Sequence, residues 1–237
     1  MDEKLIFKEC SSSADWDNFI LKSENKNILS MSDFIDNSNF KNKKIFIKKK
    51  EEILASFHIF YEKNNTILGD RIYSPINFKH FEKKNQSSDL YKKFNIINYY
   101  AKFLNENFDE GFVTLDHSTQ DLRPFFWFNF DNKKKIFSID EVRYTSIIKL
   151  QDTFKSLSID HLINSSLFNK FSRSIKQQLR SKLNSKFKFI EEFNFDFAIE
   201  TITKIYNRQK SNIDFDIINL KKIYQTLHKK KLIKMFV

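Results

Sequence analysis

Two glycines and two prolines are all that 237 residues contain. Glycine supplies positive φ and close backbone approach without steric cost, so a chain this poor in it has few sites for tight turns. The scarcity also excludes phosphate loops built on glycine clusters. Gly69 and Gly111 stand alone in the first half, and no P-loop, dinucleotide fingerprint or nucleophile elbow is present. Cys10 is the single cysteine, which excludes an intrachain disulfide and any cysteine-built metal site. No run approaches the ~18 apolar residues of a membrane span. The start, Met1-Asp2-Glu3-Lys4, leads into a short apolar patch and not a signal-peptide core. A cytoplasmic protein is expected.

Aromatic and charged residues are abundant instead. Twenty-eight phenylalanines and a 41% hydrophobic content are too much for a disordered chain, and the length suffices for one large domain or two small ones. The net charge of +11 is unevenly spread. Residues 1–165 hold 25 basic and 24 acidic side chains, whereas residues 166–237 hold 16 and 6. A basic C-terminal third fits an anionic partner such as a CoA phosphate, tRNA, a nucleotide sugar or a lipid head group. Lysine clusters at 41–50, 133–135 and 229–231 are scattered, however, and no nucleic-acid-binding motif accompanies them.

Periodicity places the elements. A strand over Leu5 to Glu9 precedes a helix capped at Ser12 or Ser13, with Trp16, Phe19 and Ile20 on one face. A second helix runs from Ser32 through Ile35. Lys44 to Lys48 and Ile53 to Tyr61 read as an antiparallel hairpin, with a third strand near Ile67 to Tyr73. On the long strand Ile53, Ala55, Phe57, Ile59 and Tyr61 share one face, while Leu54, His58 and Phe60 share the other. Both faces are apolar, so this strand is central and His58 is expected as a core histidine. Ser88 or Asp89 is expected to cap the clearest helix, in which Leu90, Phe94, Ile97, Ala101 and Leu104 form one stripe. Phe112 to Leu115 and Arg143 to Leu150 read as further strands. A basic helix over Leu167 to Leu183, a strand at Phe187 to Ile190, and helices at Phe195 to Ile205 and Ile217 to His228 follow. The apolar Leu232 to Val237 reads as an uncapped strand.

The most distinctive stretch is Asp121-Leu122-Arg123-Pro124-Phe125-Phe126-Trp127-Phe128-Asn129-Phe130, followed by Glu141-Val142-Arg143-Tyr144-Thr145. Five aromatics fall within six positions beside an aspartate and an arginine. This pattern suits a core helix capped by Asp121 with Pro124 in its first turn. It also suits a groove wall, where rings give area and the ion pair fixes orientation. Arg123 and Arg143 are two of six arginines against 35 lysines, and a lysine-rich chain uses arginine where bidentate geometry matters. They either pair with Asp121, Asp140 or Glu141, or grip a phosphate or carboxylate. The five histidines show no metal-ligand spacing.

Asp-x-Arg-Pro-Phe-x-Trp-x-Asn-aromatic, a short gap and then Arg-Tyr-Thr resembles the FemAB-like branch of the GNAT acyltransferases, from about Ser12 to the last residue. In that pattern Trp16-Asp17 opens the first helix. The resemblance implies a mixed α/β (α+β) fold, with a GNAT-like central mixed sheet flanked by helices and a second, incomplete GNAT-like half. Its boundaries fall at residues 1–142 and 143–237, the second half reading as truncated. It further implies N-acyl or aminoacyl transfer to an amine on a cell-wall precursor or surface sugar, a role in cell envelope biogenesis. The donor would be acyl-CoA or aminoacyl-tRNA, with no metal. The glycine turn that holds CoA in such folds is not visible, so a second chain completing the C-terminal half becomes a candidate partner.

Transfer to an amine needs a base for the ammonium proton and a donor for the developing oxyanion. Asp121, His117 and the neighbouring Asp116 are the candidate bases, and Tyr144 the candidate donor. Arg123, Trp127, Asn129 and Arg143 are the candidate substrate-binding residues, facing an anionic small molecule or nucleotide-sugar precursor. Two other readings compete: a non-catalytic module that recognises an anionic sugar or peptide, and a basic nucleic-acid binder, with tRNA as one partner.

Overall fold

The computed structural model describes residues 4–62, 65–68, 75–81, 85–116, 119, 121–131, 137–140, 142, 166–169, 171–182, 191–211 and 216–235. The chain divides into two compact units, one formed by residues 1–141 with 195–234, the other by residues 142–194 with 235–237.

The first unit is built on a mixed sheet. Its strands are β1 (Ile6–Glu9), β2 (Lys41–Lys49), β3 (Glu52–Tyr61), β4 (Thr66–Ile67), β5 (Asn77–Phe78) and β6 (Glu110–Gly111). They lie in the order β1-β2-β3-β4-β6, with β5 paired to β3 beyond the end of β4. All neighbours run antiparallel except β4 and β6, which are parallel. Parallel neighbours need a crossover connection, and the long helix α3 (Gln86–Asn107) lies within it. This is the GNAT-like mixed sheet flanked by helices that the resemblance implies.

Helix α3 covers one face of the sheet. Phe57, Ile59, Ile97, Tyr100, Ala101 and Leu104 are buried together there, and Phe57 meets Tyr100 edge-on at 4.6 Å. The other face is covered by α1 (Ser13–Lys22), a 3-10 turn at Ile28–Ser30 and α2 (Ser32–Asp36), which bury Trp16, Ile20, Met31 and Ile35 against Phe46 and Phe60. Both faces of β3 are therefore dry, as its pattern requires, and His58 is fully buried beside Phe60.

The expected faces of β3 need one correction. Ile53 packs with the α1 cluster and Leu54 with the α3 cluster, the reverse of strict alternation. Lys48 pairs with Ile53 and Ile47 with Ala55, which leaves Leu54 as the extra residue of a β-bulge. A bulge inserts one residue and exchanges the faces of what precedes it. A second correction concerns α3, which starts earlier than expected. Asn85 is its cap and accepts a hydrogen bond from Ser88 N at 2.7 Å, so Ser88 lies inside the first turn. A third concerns Phe112 to Leu115: β6 is Glu110–Gly111, ahead of the expected strand, of which only Thr114 makes an isolated bridge, and Phe112 is about half exposed. The strand expected near Ile67 to Tyr73 is seen only as Thr66–Ile67, and residues 69–74 lie outside the described residues.

Two later helices belong to this unit, α7 (Phe195–Arg208) and α8 (Ile217–Lys229). Asp216 caps α8 through Asn219 N and also accepts from Asn39 Nδ2 at 2.9 Å. Lys230 reaches Asp33 of α2 at 2.5 Å, and Lys221 joins α8 to Asp196 of α7.

In the second unit the expected basic helix over Leu167 to Leu183 is two pieces, α5 (Ser166–Asn169) and α6 (Arg173–Lys182). The break is local chemistry. Ser172 starts a new helix, its carbonyl accepting from Lys176 N at 3.0 Å and its hydroxyl from Ile175 N at 3.4 Å, which is how serine caps a helix. Of the strand expected over Leu232 to Val237, Leu232 to Met235 has no strand structure, although Glu192 N donates to the Met235 carbonyl, and residues 236–237 lie outside the described residues. The strands expected at Arg143 to Leu150 and Phe187 to Ile190 lie outside the described residues.

Candidate functional site

The distinctive aromatic stretch folds into α4 (Arg123–Trp127), a helix of little more than one turn packed against α3. Pro124 stands in its first turn, where a missing N–H costs nothing. Asp121 is not the cap itself. Leu122 occupies that position without a side-chain bond, and Asp121 reaches past it to accept from Arg123 N at 3.1 Å. The helix ends at a turn in which Asn129 takes φ +53°, a left-handed conformation that asparagine tolerates better than most residues. Its amide donates to Asn105 Oδ1 on α3 at 3.0 Å, so Asn129 both closes the turn and ties it down.

The aromatic block divides by depth. Pro124 and Phe125 are buried, and Phe125 meets Tyr100 and Phe137 edge-on. Phe126, Trp127 and Phe130 face outward, Trp127 with 59% of its surface exposed. The core-helix reading holds for Pro124 and Phe125, while the outward rings are exposed.

Arg123 and Asp121 form a forked ion pair. Nε donates to Oδ1 at 2.9 Å and Nη2 to Oδ2 at 2.6 Å. The same guanidinium lies 5.5 Å from the Phe94 ring centre and 5.6 Å from that of Trp127, and the two rings are 5.7 Å apart. Weakly hydrated and planar, a guanidinium can bond in its plane and stack on its faces at once, which an ammonium cannot. The Arg123 side-chain hydrogen bond is the main cause holding the Asp121 carboxyl below its ordinary range, against the upward pull of partial burial.

A carboxyl depressed in the folded state contributes stability that is fully present above its unfolded pKa and is lost as pH falls through the folded value. Arg123→Lys loses the fork and the stacking, so the variant's melting temperature is expected to match wild type most closely at the acid end of the range and to fall below it by a small margin near neutral pH. Melts collected between about pH 2 and pH 7 read this directly, and a gap that stayed constant across the range would show that the pair has no part in it.

Of the sequence-derived site residues, the structure brings Asp121, Arg123 and Trp127 together against Phe94, while Asn129 is held by Asn105 further along α3. His117, Tyr144 and Arg143 lie outside the described residues. Asp116 is half-buried, and its carbonyl accepts from Thr119 N. Phe94 was missed as a member of the site because it falls on the apolar stripe of α3. Leu90, in the same stripe, is 54% exposed, so the stripe is buried only from Ile97 onward. Among the described residues no group of three His, Cys, Asp or Glu side chains is placed to hold a metal ion, and no helix is long and apolar enough to cross a membrane.

No family model and no curated protein sequence matches the chain. Among solved structures, FemX aligns with 98% of this chain at a TM-score of 0.56 and 14% identity. A possible acetyltransferase from Clostridium difficile 630 aligns with 61% of this chain and 99% of its own length at 13% identity, with a TM-score of 0.29 that is too low to bear on the fold. The chain has the fold of FemX and spans 57% of the FemX chain.

Proposed function

We propose that this protein is an acyltransferase of the FemAB kind, or one half of such an enzyme, that joins an acyl or aminoacyl group to an amine on a cell-wall precursor or surface sugar. The observation that carries the reading is the shared fold with FemX across nearly the whole chain. The donor is acyl-CoA or aminoacyl-tRNA, and the basic C-terminal third supplies charge for either. Arg123 and Trp127 present a planar cation and an exposed ring at the α3–α4 corner, with Arg143 as the further candidate for an anionic substrate.

Within this reading Asp121 positions Arg123. A general base works best with a pKa near the operating pH, and the Asp121 carboxyl is shifted the other way. The proton-accepting role falls to His117 or Asp116, with Tyr144 donating to the oxyanion. The same observation favours the second reading, an anion-recognising module without catalysis.

The test offers the full chain acetyl-CoA or a mixture of aminoacyl-tRNAs together with lysine-containing cell-wall stem peptides and amino sugars. Mass spectrometry then reads acyl addition to the acceptor. An added acyl or aminoacyl mass that disappears when His117→Ala and Asp116→Asn are combined supports the enzyme. No addition from either donor, alongside binding of the acceptors, rejects the enzyme and leaves the module.

A further inference from the structure

On the face of the sheet away from α3, a groove of about 530 Å³ opens between α1 and the ends of β1, β2 and β3. Asp15, Asn18, Phe19 and Lys22 line it from α1, at the spacing that puts residues on one helix face. Phe46, Lys48 and Ile53 line it from the sheet. Phe19 meets Phe46 edge-on at 5.6 Å, so the floor is aromatic.

Lys48 gives the groove its chemistry. Its side chain is only 10% exposed, yet its one ion-pair partner among the described residues is Glu51 at 3.0 Å, in the β2–β3 turn and 99% exposed. A buried ammonium normally has a buried or well-held acid, because leaving it unmatched is costly. Here the acid is a hydrated turn side chain three residues away, and exposed pairs of this kind contribute little. Lys8 lies across the strand pair on the same face, opposite Phe46 in register, and makes no direct ion pair among the described residues. Lys22 stands at the end of α1 and is likewise without one. The acids on the lining are fewer, Glu9 and Asp15 against Lys8, Lys22, Lys48 and Lys79. Lys79 is held by Glu52.

We infer that this groove binds a small monocarboxylate with an apolar, ring-sized body, its carboxylate displacing Glu51 from the Lys48 ammonium and its body lying on Phe19, Phe46 and Ile53. A concave apolar site with a few fixed polar groups is the general form of a small-molecule site. The charge-assisted bond to Lys48 gives it its sign preference. The site is separate from the α3–α4 corner and does not depend on the acyltransferase reading.

The experiment compares three probes on the full chain by calorimetry and by amide-shift titration: indole-3-acetate, tryptamine and acetate. The first two carry one ring system with opposite charge. Indole-3-acetate is expected to bind about tenfold tighter than tryptamine, with shifts centred on Asn18, Phe19 and Lys22, and acetate to bind weakest for want of a body. Glu51→Gln removes the internal competitor from a fully exposed position and is expected to tighten indole-3-acetate. Lys48→Met keeps the apolar stem and is expected to abolish the preference over tryptamine, with the melting temperature reporting that the variant is folded. The inference is overturned by equal binding of the two indoles, by shifts located elsewhere, or by an affinity that ignores Glu51→Gln. If Lys48→Met fails to fold, the Glu51→Gln comparison decides alone.

Discussion

Trp16→Ala is expected to lower the stability of the first unit by about 3–5 kcal/mol, the usual range for deleting a large buried aromatic. Trp16 is completely buried, stacks on Phe46 at 5.4 Å, and donates its indole N–H to the Ser30 carbonyl at 2.6 Å. Its neighbour Asp17 accepts from Ser32 N at 2.7 Å and from the Ser32 hydroxyl at 2.6 Å, so it secures the start of α2. The Trp-Asp pair thus fastens α1 to both following helical pieces, one side chain through the core and the other through the edge. Removing the ring empties the cluster formed with Ile20, Met31, Ile35 and Phe60 and releases the Ser30 carbonyl. A chain of this length loses roughly 2–4 °C per kcal/mol, so the melting temperature should fall by about 6–20 °C. Trp16→Phe keeps most of the packing but leaves Ser30 without its donor, and about 1–3 kcal/mol is expected for that alone. Urea melts of both variants measure the difference. A Trp16→Ala protein as stable as Trp16→Phe would show that the ring does not hold this layer together.

The pair was visible in the sequence as part of a resemblance, and its physical role was not, because Ser30 and Ser32 come near it only through the turn between α1 and α2. The same division runs through the chain. Alternation along β2 and β3 and the apolar stripe of α3 are local signals, and they placed the sheet and its cover well. The β-bulge was hidden, since Ile53 and Leu54 are both apolar and give no sign of which faces which cluster. The start of α3 was ambiguous because Asn85, Ser87, Ser88 and Asp89 are all good caps, and only the fold selects Asn85. At the candidate site the Asp121–Arg123 pair was legible, being two residues apart and drawn together by one short turn. Its aromatic partner Phe94 was not, because stacking across two helices depends on how α3 and α4 meet. The groove under α1 left least trace. Its cations are ordinary members of a lysine-rich chain, and burial alone sets Lys48 apart from Lys8, Lys22 and Lys79.

Gly111 is where scarcity and structure meet, and Gly111→Ala is expected to cost about 3 kcal/mol or more, the sum of a strained backbone and a hard contact. The residue has φ +134°, a region that side chains on an L-residue rarely enter. A Cβ there would be driven into the backbone N, O and Cα of Ile67 on the neighbouring strand. Backbone cannot rotate away as a side-chain tip can, so the strands themselves must part. They are β4 and β6, the one parallel pair of the described sheet, matched Ile67 to Gly111 and extended by Phe112 N donating to the Ile67 carbonyl at 3.2 Å. So short a ladder has no further rungs over which to spread the strain. The variant should therefore lose amide protection at Phe112 and Leu68 well before β2 and β3 open, and its melting temperature should drop by roughly 6–12 °C. Hydrogen exchange followed residue by residue separates this from uniform destabilisation. Unchanged protection at Phe112 in Gly111→Ala would mean that β4 and β6 do not approach as closely as the structure has them, and the crossover through α3, on which the GNAT-like order of the sheet rests, would have to be redrawn.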